Sequence, residues 1–189
     1  MQLDRPILLD LETTSLEADA GVIVGVGLIT ERGESTYLES KRTDMERDLL
    51  VRLMKRLDDY STIVTWNGRR FDLPFIVTRM LKHRLDPRAI IQKQHVDLNE
   101  VVNSRLRLTF TYLDHVCAFF GIEKQRNPMG MDVPGLYVKA LEGDRKALGM
   151  IREHCLDDLK ATRKLYLLLG PLLDAQHAKD RGPRLSSEK

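Results

Sequence analysis

The sequence predicts an α/β fold, a mixed sheet covered on its faces by helices. Strand-like apolar runs come first, strands then alternate with helices, and the last third of the chain is helical. No internal repeat or low-complexity block interrupts that order. The chain has 189 residues, 42% hydrophobic and 31% charged, which suits one domain with a full core.

The elements follow in order. Ile7-Leu8-Leu9 after Pro6 opens a buried strand that ends in Asp10-Leu11-Glu12-Thr13-Thr14. Gly21 to Thr30 reads as a long second strand, whose glycines leave room for a close backbone or ligand approach. Glu31 to Glu34 makes a turn and Ser35 to Leu38 a third strand, so the first three strands predict a meander. Thr43-Asp44-Met45-Glu46 has the pattern of a capping box and opens a helix to about Tyr60. Thr62 to Trp66 is a fourth strand, followed by a helix over Leu73 to Leu85 with Asp72 placed as N-cap. A fifth strand spans about Ile91 to Val96, and Asp97 caps a helix reaching about Leu106. Thr111 is placed to cap a helix over Tyr112 to Phe120, which stops at Gly121. Lys124 to Val133 reads as a loop, Pro134 to Leu141 as a short helix, and Arg145 to Leu169 as the last long helix. Residues 1–172 form the expected domain, and 173–189, nearly without apolar residues after Ala175, a flexible tail.

Composition excludes several classes. Cys117 and Cys155 lie in apolar-periodic segments and read as reduced core residues, which argues against a disulfide framework and for a cytoplasmic setting. No apolar run reaches the roughly 18 residues of a membrane span, and the N-terminus does not read as a leader. Thirty basic against 28 acidic side chains give a net charge of +2, which neither demands nor excludes nucleic acid.

The chemistry lies in the acids. Strand alternation points Asp10 and Glu12 to one face, where two buried carboxylates are costly unless a cation sits between them. Hard oxygen ligands suit magnesium or manganese. Asp72 follows an apolar strand and reads either as a helix cap or as a further acid at the ligand-binding sheet edge. On the last helix, Leu148, Ile151, Cys155, Leu159, Thr162, Leu165, Tyr166 and Leu169 form one stripe that contains Asp158 but not Asp157. His154 lies one turn before Asp158, as its neighbour. Asp97 reads as a cap.

Asp10-Leu11-Glu12-Thr13, Asn67-Gly68-Arg69-Arg70-Phe71-Asp72 and His154-Cys155-Leu156-Asp157-Asp158 occur in this order. The set resembles the DEDD superfamily of 3′-5′ exonucleases, closest to the proofreading domains of family B polymerases. The resemblance covers about residues 6 to 170 and implies a ribonuclease-H-like fold, a five-stranded mixed sheet flanked by helices. It carries Asp10 and Glu12 onto the first motif, Asp72 onto the second and Asp158 onto the last. The third motif departs: its spacing is that of the branch with Tyr, three residues, then Asp, but the residue here is His154.

The resemblance implies a metal-dependent exonuclease that releases nucleoside monophosphates from the 3′ end of single-stranded nucleic acid. The motifs do not separate DNA from RNA, since the metal chemistry sees only the phosphodiester; DNA is the expected substrate and DNA repair the expected setting. The cofactors would be two divalent cations, Mg2+ or Mn2+, held by Asp10, Glu12, Asp72 and Asp158, with His154 orienting or deprotonating the attacking water. Asn67 and Phe71 would face the terminal nucleotide, the backbone at Leu11 to Thr13 its 3′ hydroxyl, and Arg69 and Arg70 the phosphates. Other basic groups, Lys82-His83-Arg84, Arg105 with Arg107, and Lys124 with Arg126, read first as solvated faces. The alternatives are an exoribonuclease, a nucleic-acid-binding domain with weakened catalysis, or a ribonuclease-H-like endonuclease. No attached polymerase or helicase domain is expected, and the sequence leaves protein partners and oligomeric state open.

Overall fold

The computed structural model describes residues 5–125 and 130–173. Strands β1 (Pro6–Thr13), β2 (Ile23–Thr30) and β3 (Ser35–Glu39) form the expected antiparallel meander. On the other side of β1, β4 (Thr62–Thr65) and then β5 (Gln94–Asp97) run parallel to it, which gives the sheet order β3-β2-β1-β4-β5. The helices are α1 (Glu46–Leu57), α2 (Asp72–Lys82), α3 (Arg88–Ile91), α4 (Leu98–Arg105), α5 (Leu113–Phe119), α6 (Val133–Leu141) and α7 (Arg145–Leu168). None of the described helices is long and apolar enough to cross a membrane.

Alternation along β1 divides the core. Ile7, Leu9 and Leu11 join Leu49, Leu50, Leu53 and Leu57 of α1 and Phe75, Ile76 and Met80 of α2 on one face. Leu8 joins Cys155, Leu159 and Leu165 of α7 and residues of α4 and α5 on the other. Asp10 and Glu12 share the parity of Leu8, so they point toward α7. Because β1, β4 and β5 are parallel, their C-terminal ends open on one edge of the sheet.

The cross-strand partners of the two acids are glycines: Asp10 pairs with Gly27 and Glu12 with Gly25. A Cβ at Gly27 would lie 2.4 Å from Leu159 Cδ1 and 2.5 Å from Cys155 Sγ, so this glycine lets α7 rest directly on the sheet. A Cβ at Gly25 would lie 1.9 Å from the Tyr37 hydroxyl. The room predicted at the glycines is therefore filled by the protein's own side chains.

Several local expectations change. Thr43–Met45 is a 3-10 turn, and α1 has no side-chain N-cap. Glu46 does not close a capping box because its carboxylate is drawn into the core by Arg79. Asp72 is the first residue of α2 and does not cap it. The predicted start of the fifth strand, Ile91, instead ends α3, and pairing with β4 begins at Gln94. Tyr112, not Thr111, occupies the N-cap of α5, without a side-chain cap bond. The predicted loop from Lys124 contains a 3-10 turn at Gly130–Asp132, and α6 begins at Val133. Asp97 and Asp144 do cap α4 and α7 through their side chains. Arg126, Pro128 and the predicted tail beyond Leu173 lie outside the described residues.

Candidate active site

Three elements bring the acids together. Near its C-terminal end β1 carries Asp10, partly buried, and Glu12, 4% exposed. The loop after β4 delivers Asp72, also 4% exposed, at the start of α2. The α7 helix delivers His154 and Asp158. His154 lies between two of the acids, with Nε2 3.9 Å from Glu12 Oε1 and Nδ1 3.8 Å from Asp158 Oδ1.

The acids do not carry a matching set of cations. Burial and then the Asp158 carboxylate push Asp10 up from 3.8 to about 7. Glu12 is raised well above its ordinary value by burial, then by Asp10, Asp158 and Asp72. Asp72 is raised by burial and by Asp10, although the amides of Asp72 and Leu11 pull it back. Mutual shifts of this kind show that the charged forms compete for one poorly solvated space. Asp158 Oδ1 is out of solvent, and among the described residues it is met by Lys124 at 2.8 Å without an aligned hydrogen bond.

Lys124, read from the sequence as one of several charged surface groups, is the nearby counter-charge. Its Nζ stands 2.8 Å from Asp158 Oδ1 and also pairs with Asp114. Burial would lower its pKa, but the bonds to Asp114 and Asp158 outweigh burial and raise it. Tyr37 is a second addition, since its hydroxyl lies over Gly25, opposite Glu12. Burial, then Cys155 and Glu12, push the phenol upward, so it remains a neutral donor. The register that pairs Tyr37 with Gly27 places it there.

The donor set fits hard divalent cations. One ligand atom each from Asp10, Glu12 and Cys155 lies within 4.8 Å of the other two. The Cys155 thiol is pushed up by burial and by the acids, and it is directed at the Asp10 carbonyl oxygen at 3.9 Å. A protonated thiol is a poor ligand, so the fit rests on carboxylate oxygens, which suit Mg2+ or Mn2+.

The loop between β4 and α2 is pinned from below. Asp97 Oδ1 accepts from the Asn67 amide at 2.9 Å and Oδ2 from the Arg69 amide at 3.0 Å. Asn67 takes φ 62°, and a Cβ at Gly68 would lie 2.4 Å from Thr65 Oγ1. Asp97 thus caps α4 and also shapes the loop. Asn67 and Arg70 are exposed, and Arg69 pairs with Glu100 at 2.9 Å. Phe71 is partly buried against Phe75, with ring centroids 5.6 Å apart. Thr13 donates to the Ser15 carbonyl oxygen at 2.7 Å, and the Leu11 side chain is buried on the opposite face.

A sequence profile of the RNase H superfamily matches residues 7–169. The chain belongs to the RNase H superfamily. A DNA polymerase of Methanocaldococcus jannaschii is 26% identical over 147 residues, covering 67% of this chain and 8% of the polymerase. The family B DNA polymerase of the archaeon Pyrobaculum calidifontis superposes with a TM-score of 0.78 at 20% identity, over 90% of this chain and 25% of that one. The chain thus spans a small part of the length of the polymerases it matches. The fold is ribonuclease-H-like, and superfamily and relatives together support a nuclease-type enzyme.

Proposed function

We propose that this chain is a DEDD-type 3′-5′ exonuclease that hydrolyses the terminal phosphodiester of single-stranded nucleic acid, DNA by preference, with Mg2+ or Mn2+. The observation that carries the reading is the meeting of Asp10, Glu12, Asp72 and Asp158, from three elements, with three of them pushed well above the usual carboxylate range. A structural cluster would be neutralised from within, whereas this one gains most from added positive charge.

Asp10, Glu12, Asp72 and Asp158 would hold two cations. When bound, such a pair supplies an activated water and charge stabilisation for the leaving oxygen. The remaining roles belong to the chain. His154 borders both Glu12 and Asp158, from where a neutral imidazole accepts the proton of the attacking water. Asn67 and the backbone of Leu11 to Thr13 position the terminal nucleotide, and Phe71 packs beside it. Arg70, which is exposed, offers its guanidinium to a phosphate, and Arg69 does so by exchanging Glu100 for it.

End-labelled single strands of DNA and RNA, incubated with Mg2+, Mn2+ or chelator, test the reading. The expected result is stepwise release of mononucleotides from the 3′ end, fastest on DNA and abolished by chelator. Internal fragments would show an endonuclease, faster cutting of RNA an exoribonuclease, and binding without cleavage a recognition domain.

A further inference from the structure

Rings that fold into a core are covered, yet Phe110 is 54% and Tyr112 74% exposed. They stack on each other, with centroids 6.0 Å apart and planes 23° apart, and His115 meets Phe110 edge-on at 5.5 Å. The group lies on the α4–α5 connection and the first turn of α5.

That connection borders the candidate active site. Thr111, between the two rings, has its carbonyl oxygen held by Asn99 Nδ2 at 2.6 Å, and the Asn99 amide donates to Asp97. Tyr112 immediately precedes α5, whose Asp114 is joined through Lys124 to Asp158. Arg105, which ends α4, and Arg107, on the same connection, are exposed. Phe71, by contrast, is committed to Phe75.

Resting on the nuclease reading above, we propose that Phe110, Tyr112 and His115 form a stacking platform for bases of the strand leading away from the 3′ end. Exposed rings beside cations fit a single strand, because every base offers a π-face and every linkage a charge. Continuity with the acids through Asp114, Lys124 and Asp158 favours this occupant over a protein partner. The platform is sequence-tolerant, since stacking reads no base edge.

The test uses the full chain in chelator, so that no strand is cut, and ten-nucleotide DNA strands with 2-aminopurine at successive positions from the 3′ end. The wild type is expected to change the fluorescence of probes a few nucleotides from that end, and to bind more tightly as the strand lengthens from two to five nucleotides. The exposed double variant Phe110→Ala/Tyr112→Ala should lose the signal and the length dependence and bind about tenfold more weakly. Tyr112→Trp should retain both. With Mg2+, the double variant should show a raised KM on the ten-nucleotide strand with little change in kcat.

An unchanged signal and affinity in the double variant would overturn the platform. The two readings fail separately. Cleavage with wild-type KM in the double variant removes the platform alone. A stacking signal in a wild-type chain that never cuts removes the exonuclease reading alone.

Discussion

Two buried charge clusters in this molecule solve the same problem in opposite ways. Glu46, at the start of α1, is fully buried, and Arg79 of α2 meets it with Nε at 2.8 Å from Oε1 and Nη2 at 2.5 Å from Oε2. The Ile23 amide and His83 add bonds at 2.8 and 2.6 Å, and Arg79 Nη1 donates to the Ala18 carbonyl oxygen. Burial alone would raise the Glu46 carboxyl, yet these partners hold it below its ordinary value. Across the sheet, burial does raise Asp10, Glu12 and Asp72, because their nearest charged neighbours include one another. The first cluster ties α1, α2 and the start of β2 together and is complete. The carboxyls of the second are raised by burial and by one another, and that contrast is the basis of the proposed site.

The largest effect expected from this contrast is on cleavage. Asp158→Asn, and separately Asp10→Asn, should lower the rate at least about a thousandfold, as loss of a metal-site carboxylate does. Thermal unfolding of the metal-free variants should occur at or above the wild-type temperature. A folded Asp158→Asn protein with wild-type turnover would break the comparison.

The opposite pattern should follow at the other cluster. Glu46→Gln leaves Arg79 buried without its counter-charge, at a cost of about 3–5 kcal/mol. Denaturant titration should show that loss, while cleavage per folded molecule stays at the wild-type level. A harmless Glu46→Gln would mean that the network is not a structural tie.

The third effect is on pH dependence. Well below pH 3.8, Asp10 is neutral in folded and unfolded chains and costs nothing. As pH rises from 3.8 to about 7, the unfolded chain ionises first, so metal-free stability from this group falls until the folded group ionises too. The wild-type deficit relative to Asp10→Asn should therefore grow between pH 4 and 7, by roughly 10 °C in Tm. Added Mg2+ should stabilise the wild type more at pH 8 than at pH 5, because bound carboxylates must be unprotonated. Differential scanning at both values checks this.

The smallest effect sharpens the role of His154. His154→Ala should reduce kcat roughly 10- to 100-fold, with Mn2+ affinity little changed, as loss of a proton acceptor rather than a ligand. Equal losses in kcat and metal affinity would instead make it a ligand.

The acid cluster was largely legible in the sequence and the Glu46 cluster was not. Alternation along a strand places Asp10 and Glu12 on one face, and the 3.6-residue period puts Asp158 on the buried stripe of α7; both are local rules. The parallel β1–β4 pairing then brings Asp72 to the same edge. Glu46 matched a local capping pattern, while its partners Arg79 and His83 lie 33 and 37 residues away and meet it only through packing. Tyr37 escaped notice, and Lys124 read only as a charged face, for the same reason, since each reaches the site through space from another element. The glycines were recognised as points of close approach, but their occupants, Tyr37, Cys155 and Leu159, become visible only once the layers are stacked.

The central claim, that Asp10, Glu12, Asp72 and Asp158 form a divalent-cation site, is tested most directly by Mn2+ binding followed by the electron paramagnetic resonance signal of free Mn2+. The account predicts two bound ions per chain at pH 8, displaced by Mg2+, with binding sharply weakened in Asp10→Asn and Asp158→Asn and retained in Glu46→Gln. Binding absent from the wild type, or undiminished in both aspartate variants, would contradict it.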